Sequence, residues 1–232
     1  MIDLYYWPTP NGFKIAIMLE ECGLPYTVKP VNIGAGDQFT PEFLALNPNH
    51  RMPVIVDNDA PGGPLSVFES GAILVYLADK TGRFLPTDTH GRFDAMQWLF
   101  WQMAGLGPMA GQAGHFLIYQ EGKHEYATER YTTEYGRLLA VMERRLRDRD
   151  YLAGEYSIAD MACYPWAAPY ERLGQSIEEL PRVAAWIERL RARPALQRGM
   201  DVGRELRSDK PLTEEQRKML YGQTGKKTLE KA

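Results

Sequence analysis

A proline at the start of a run of β-branched residues constrains the fold of this chain more than any other feature of the sequence. Met52-Pro53 leads directly into Val54-Ile55-Val56, a run with the composition of a β-strand. Proline has no backbone N–H, so sheets tolerate it at the first residue of a strand, and the peptide bond before it is a candidate cis bond. The run therefore predicts a strand whose entry turn presents the Met52 backbone to a ligand.

A helix start follows this strand along the sequence. Phe68-Glu69-Ser70-Gly71 stands directly before an apolar run with helical spacing. The free N–H groups at a helix N-terminus, together with a serine hydroxyl, can hold a carboxylate. With the turn before Pro53, this motif predicts a pocket for a small peptide.

The periodicity of apolar residues divides the chain into unlike parts. Short apolar runs first alternate with helical patterns in the order βαβαββα, which predicts an α/β thioredoxin-like domain with a mixed four-stranded sheet. The apolar spacing then becomes helical throughout, which predicts an all-α domain. The predicted parts are the thioredoxin-like domain at 1–81, a linker at 82–89, the helical domain at 90–206 and a polar, poorly ordered tail at 207–232.

Two local motifs shape the helical part. The Gly-Leu-Gly-Pro sequence at 105–108 interrupts the first helical pattern and predicts a bend or a break. Ser157, with Asp160 three residues later, is a short relative of the capping box. That spacing favours a structural helix cap over a catalytic pair.

Composition and charge exclude several classes of partner. The net charge is −3 and the charges are balanced along the chain, so neither nucleic acid nor a membrane is an expected partner. No signal-peptide pattern and no long apolar run occurs, so a cytoplasmic protein is expected. The four histidines show no metal-ligand spacing, so no metal site is predicted. Cys22 and Cys163 lie in apolar helical patterns and are predicted to be buried packing residues.

The turn after the first strand offers hydrogen-bond donors. The Thr9 hydroxyl, the Asn11 amide and the start of the following helix can all face one point. A free thiol has a pKa of about 8.5 and only the thiolate attacks, so such donors would activate a bound thiol by lowering its pKa. Alternatively, Thr9 and Asn11 only form the turn, as these residue types often do.

Several spaced motifs resemble those of one known family. They are Pro8-Thr9-Pro10-Asn11-Gly12 followed by Lys14, Gly34-x-Gly36-x-Gln38-Phe39, Pro48-Asn49, and Trp98-Leu99-Phe100-Trp101-Gln102 followed by Gly105-Leu106-Gly107-Pro108-Met109. With the two pocket motifs, they resemble the glutathione transferase superfamily up to about Leu206, and within it the bacterial Nu class. Glutaredoxin-like and omega-type members have a cysteine in the first loop, and none is present here.

The resemblance implies roles for residues of the first domain. Thr9 and Asn11 would face the glutathione sulfur. Met52, in front of a cis Pro53, would pair its backbone with the cysteinyl part of the tripeptide, as a strand pairs with an edge.

The resemblance also implies how the two ends of glutathione are held. Glu69 would face the γ-glutamyl ammonium group, and Ser70 would face the γ-glutamyl carboxylate. Gln38 and Arg51 would hold the glycyl end, where Arg51 can form a charge-assisted bond. Gln102 and Arg130 would reach the site from the helical domain, one of them across the interface of a homodimer.

Two features depart from the family pattern. Tyr6 stands where tyrosine-type transferases place a thiolate-stabilising hydroxyl, so it is either a core residue or a competitor of Thr9. His50 and Arg51 replace an asparagine and a lysine, and arginine is not equivalent to lysine at a carboxylate.

The resemblance implies a glutathione-dependent disulfide reductase. Bound glutathione would serve as co-substrate and reduce a small disulfide by thiol–disulfide exchange, without a protein cysteine or a metal. One alternative is conjugation of glutathione to an electrophile, in which the same thiolate attacks carbon. Another is a non-catalytic, glutathione-binding regulatory protein with the same fold.

Overall fold

The computed structural model describes residues 1–120, 122, 124–208 and 210–230. The chain forms two compact units, one made of Met1–Ile73 with Gly199–Ala232 and the other of Leu74–Arg198. The predicted boundaries at 81, 89 and 206 stay predictions.

The first unit contains the predicted sheet. Its elements are β1 (Ile2–Tyr6), α1 (Pro10–Cys22), β2 (Tyr26–Pro30), a 3-10 turn (Asp37–Phe39), α2 (Pro41–Leu46), β3 (Val54–Asp57), β4 (Leu65–Phe68) and the start of α3 (Ser70–Thr81). The strand order is β2-β1-β3-β4, with β1 parallel to β2 and the other neighbours antiparallel. This arrangement confirms the predicted mixed four-stranded sheet.

Helix α1 starts earlier than its apolar spacing suggests. The apolar pattern predicts a helix over 14–22, whereas the structure has Pro10–Cys22. Pro10 is responsible, because proline fixes φ near the helical value and its missing N–H costs nothing in the first turn. Cys163 is buried as predicted, but Cys22 is half-buried because it is the last residue of α1.

The last part of the chain completes the first unit. It contains the end of α9 (Pro194–Asp201), a 3-10 turn (Arg204–Leu206), α10 (Glu214–Tyr221) and α11 (Gly225–Glu230). Gly199 packs against α1 so closely that a Cβ there would lie 2.6 Å from the Ile17 nitrogen. Further along, the Arg207 guanidinium lies 5.0 Å from the centre of the Phe13 ring. The helices α10 and α11 lie in the segment 207–232, for which the sequence predicts a polar, poorly ordered tail.

The second unit is helical, as predicted. It contains most of α3, then α4 (Thr89–Trp101), α5 (Gly107–Gly114), α6 (Glu125–Arg145), α7 (Ile158–Ala167), α8 (Pro181–Arg191) and the start of α9. The predicted interruption is a π-helical segment, Gln102–Leu106, which joins α4 to α5. No helix in the described ranges is long and apolar enough to cross a membrane.

The predicted cap of α7 is confirmed. The Ser157 and Asp160 side chains form a reciprocal capping box at its start. Asp160 is fully buried and also accepts hydrogen bonds from the Leu152 N–H and the Trp186 indole N–H, both at 2.9 Å. Asp160 therefore connects the start of α7 to the Leu152 backbone and to Trp186 on α8 within the second unit.

Candidate active site

The sheet register gathers the predicted site segments of the first unit at one end. Tyr5 pairs with Val54, and Val54 pairs with Phe68. Consequently the loop after β1, the Met52-Pro53 turn before β3 and the start of α3 after β4 lie at the same end of the sheet. The Val31 N–H donates to the Tyr6 carbonyl at 2.9 Å, which brings the start of the loop after β2 to that end as well.

The β1–α1 loop places Thr9 beside Met52. Thr9 occupies the N-cap position of α1 without using its side chain as a cap, and its hydroxyl donates to the Met52 sulfur at 3.6 Å. Asn11 is half-buried in the first turn of α1. Gly12 allows the tight approach of helix and loop, because a Cβ there would collide with the Trp7 carbonyl oxygen.

The turn before β3 is built around a buried asparagine. The Met52-Pro53 peptide bond is cis, as predicted. The Asn47 side chain donates to the Arg51 carbonyl and accepts from the Asn49 N–H, so it fixes the backbone that leads into Met52. Asn47 is 1% exposed, whereas the Arg51 side chain is exposed. The structure thus assigns Asn47 a role in shaping the turn that the sequence analysis missed.

Glu69 and Ser70 form the start of α3. Glu69 is exposed and has a positive φ of 68°, a conformation that non-glycine residues rarely adopt. Its carbonyl accepts the Ile73 N–H at 2.9 Å, which makes Glu69 the cap of the helix. Ser70 is buried, and its hydroxyl oxygen accepts a hydrogen bond at 3.2 Å from the ammonium group of Lys14. In the sequence, Lys14 stands out only as part of the family motif.

Gln38 and His50 bring buried polar atoms near the predicted glycyl end. The Gln38 amide donates to the Ile33 carbonyl at 3.2 Å, while its oxygen is buried without a hydrogen-bond partner among the described residues. His50 packs on Phe39 with ring centres 5.4 Å apart, and its Nδ1 is likewise buried without a described partner. Gln38 lies in the 3-10 turn that follows β2, and His50 lies in the loop that leads to β3.

Tyr6 belongs to the core. Buried residues alternate with half-buried ones along β1, and the ring of Tyr6 is fully buried. Its hydroxyl donates to the Val202 carbonyl at 3.0 Å, and burial raises the pKa of that hydroxyl above its ordinary value. Gly203 packs against the ring. Of the two alternatives left by the sequence, the structure favours the core residue over the competitor of Thr9.

Gln102 and Arg130 belong to the second unit. Gln102 is buried and begins the π-helical segment, while Arg130 is exposed on α6. Among the residues that the structure describes, no cluster of three or more His, Cys, Asp or Glu side chains could hold a metal ion.

Family models match both parts of the chain. Residues 1–79 match the glutathione S-transferase N-terminal domain, and residues 106–194 match the glutathione S-transferase C-terminal domain. The chain therefore belongs to the glutathione transferase family, and it has the glutathione transferase fold, with a thioredoxin-like domain followed by a helical one.

Individual relatives cover most of the chain. The disulfide-bond oxidoreductase YfcG of Escherichia coli strain K12 is 52% identical over 198 residues, which are 84% of this chain and 92% of the relative. A glutathione transferase from Burkholderia graminis with two bound glutathione molecules per subunit has a TM-score of 0.82 and 46% identity, over 87% of this chain and 88% of its own. A glutathione transferase from Pseudomonas putida with one bound glutathione disulfide per subunit has a TM-score of 0.84 and 42% identity, over 87% of this chain and 91% of its own.

Proposed function

We propose that this protein is a glutathione-dependent disulfide reductase of the Nu class. The observation that carries the proposal is the hydroxyl of Thr9 beside Met52, in a loop that contains no cysteine. A bound glutathione sulfur, to which the Thr9 hydroxyl donates in place of the Met52 sulfur, takes the role of a protein thiol. Similarity to a relative named a disulfide-bond oxidoreductase supports the same activity.

The reaction proceeds by two exchanges. The bound glutathione thiolate attacks one sulfur of a small disulfide, and the other sulfur leaves as a thiolate that takes up a proton. A second glutathione thiolate then attacks the glutathione sulfur of the mixed disulfide, which yields glutathione disulfide and the second reduced thiol. Structural relatives with two glutathione molecules or one glutathione disulfide per subunit support this stoichiometry.

The protein contributes thiolate stabilisation. Thr9 and Asn11 donate to the sulfur at the N-terminus of α1, where the helix dipole also favours negative charge. The Met52 backbone, held by Pro53, pairs with the cysteinyl part of the tripeptide.

The two ends of glutathione are held by different charges. Glu69 binds the γ-glutamyl ammonium group, and Ser70 at the start of α3 binds the adjacent carboxylate. Gln38 and the exposed Arg51 hold the glycyl carboxylate.

We also propose a cytoplasmic homodimer. Phe93 and Phe100 lie two turns apart on α4 and are 61% and 63% exposed, and Phe68 on the edge strand β4 is 37% exposed. Large aromatic side chains exposed in this way are typical of surfaces that bind a second protein. A second copy of the chain would bury them.

The protein should accelerate the reduction of hydroxyethyl disulfide by glutathione well above the uncatalysed rate. Conjugation of glutathione to a chlorinated aromatic compound should be weak, because a hydroxyl and an amide replace the usual catalytic serine or cysteine. Coupling to glutathione reductase and NADPH measures the first reaction, and absorbance of the conjugate measures the second. Strong conjugation without disulfide turnover would favour a transferase, and glutathione binding without either reaction would favour a regulatory protein.

Glu69→Gln and Ser70→Ala should each weaken glutathione binding by about 1 to 3 kcal/mol, because each leaves a charged group of the ligand without its partner. Titration calorimetry with glutathione measures the loss. Glu42→Gln is a matched control, since Glu42 is an exposed glutamate in the first turn of α2, outside the proposed site. Unchanged affinity in both site variants would mean that the tripeptide binds elsewhere.

A further inference from the structure

We infer that Lys14 is a positioning residue that acts through Ser70 on the γ-glutamyl carboxylate of bound glutathione. The inference rests on the proposed function and extends it to a residue inside the protein. Lys14 would touch Ser70, and Ser70 would touch the ligand.

The burial of Lys14 calls for a physical reason. Its side chain is 1% exposed, in the middle of α1, where Ile15, Ile17 and Met18 are also buried. Lysine is almost never fully buried, because removing an ammonium group from water is costly. An apolar residue of similar length would fill the same space without that cost, so packing alone does not account for a lysine here.

The hydrogen bond to Ser70 has a defined direction. An ammonium group has three donors and no acceptor, so the contact of 3.2 Å uses a lone pair of the Ser70 oxygen and not the Ser70 proton. The hydroxyl proton of Ser70 is therefore directed away from Lys14. A serine oriented in this way can donate to an anion, which is what carboxylate recognition requires.

The charge of Lys14, like its hydrogen bond to Ser70, favours the binding of a carboxylate at this point. Ser70 is the first residue of α3, a helix of 12 residues whose N-terminus already carries positive partial charge. A cation next to a helix N-terminus opposes the dipole, whereas an anion bound there is attracted by both. Lys14 thus raises the positive potential at the point where the γ-glutamyl carboxylate would bind.

The test compares two peptides that differ only in this carboxylate. Glutathione and 4-aminobutanoyl-cysteinylglycine, which lacks it, are titrated into the wild type, Lys14→Met and Lys14→Gln by calorimetry. Methionine keeps the length of the side chain without its charge, and glutamine keeps a donor for Ser70. We expect Lys14→Met to bind glutathione about 10-fold more weakly while its affinity for the analogue changes little. Lys14→Gln should show a smaller loss in the same direction.

Two controls separate this role from a structural one. Lys29→Met removes the same charge from an exposed position on the edge strand β2 and should leave the affinity ratio of the two peptides unchanged. Adding Lys14→Met to Ser70→Ala should cost less than Lys14→Met alone, because the two residues act in series. Circular dichroism checks that each variant is folded.

The possible outcomes are distinct. Two results would overturn the role of Lys14 and leave the proposed function intact. One is an equal loss of affinity for both peptides in Lys14→Met, and the other is an unchanged preference for glutathione over the analogue in both Lys14 variants. A wild-type protein that binds neither peptide would instead overturn the proposed function.

Discussion

Replacing Thr9 by alanine should raise the pKa of the bound glutathione thiol by about one to two units. One hydrogen bond to a charged atom contributes roughly 1.5 to 3 kcal/mol, and 1.36 kcal/mol corresponds to about one pKa unit. The Thr9 hydroxyl is suited to this bond because it does not cap α1 and instead faces the Met52 sulfur. At neutral pH the thiolate fraction, and with it the rate of disulfide reduction, should fall about 10-fold or more.

The direction in which the pH profile of the rate shifts shows whether a lost contact to the thiolate causes the lower activity. A higher thiol pKa moves the rise of the rate to higher pH, so the variant should recover activity in alkaline solution. Asn11→Ala should shift the thiol pKa in the same direction if its amide shares the role. Thiolate absorbance of the enzyme–glutathione complex, followed through a pH titration, gives the pKa directly.

Tyr6→Phe is the matched control for both variants. It removes one hydroxyl at the same end of the sheet, but that hydroxyl donates to the Val202 carbonyl in the core. The thiol pKa should therefore stay where it is in the wild type. A raised pKa in Tyr6→Phe, with unchanged values in the Thr9 and Asn11 variants, would show that the protein works as a tyrosine-type transferase.

Asp160→Ala should reduce the free energy of unfolding by about 3 to 5 kcal/mol, because several buried donors lose one shared acceptor. These donors are the Leu152 and Ser157 N–H groups, the Ser157 hydroxyl and the Trp186 indole N–H. Urea denaturation followed by tryptophan fluorescence measures the change. Asp148→Asn is the control, since Asp148 is an exposed aspartate paired with Arg149 and should have little effect.

The contribution of Asp160 to the free energy of unfolding should also depend on pH. Burial raises the pKa of its carboxyl group from 3.8 to about 6 in the folded protein. A raised folded-state pKa contributes stability that is complete below the unfolded pKa and is lost as the pH rises through the folded one. The advantage of the wild type over Asp160→Asn should thus shrink by about 3 kcal/mol between pH 3 and pH 7. A difference that stays constant over this range would contradict the shifted pKa.

The fold was largely predictable because its signals are local. Alternation along β1, the proline at the head of β3 and the serine cap of α7 each depend on a few neighbouring residues. The Gly-Leu-Gly-Pro sequence at 105–108 predicted an interruption of the helix but not its form, since a π-helical segment depends on packing as well as on composition. The helices α10 and α11 were missed because their polar sequence has little apolar periodicity.

The site was predictable only in part. Local patterns pointed to Thr9 and to the helix start at Glu69 and Ser70, and the resemblance assigned them to parts of glutathione. The sheet register brings their segments to one end of the sheet. Lys14 was missed because a lysine within an apolar run usually extends its charged end to water. Its burial depends on contacts between α1 and α3, which no local pattern encodes.

The return of the C-terminal segment to the first unit affects the order in which the protein is completed during synthesis. The sheet emerges from the ribosome before the helical unit, but Val202 and Gly203, which cover Tyr6, emerge only after it. Until then the ring of Tyr6 lacks its cover and its hydroxyl lacks its acceptor. The sheet is thus synthesised before the helical unit but completed after it, and a truncation before Val202 would remove both the acceptor and the cover of Tyr6.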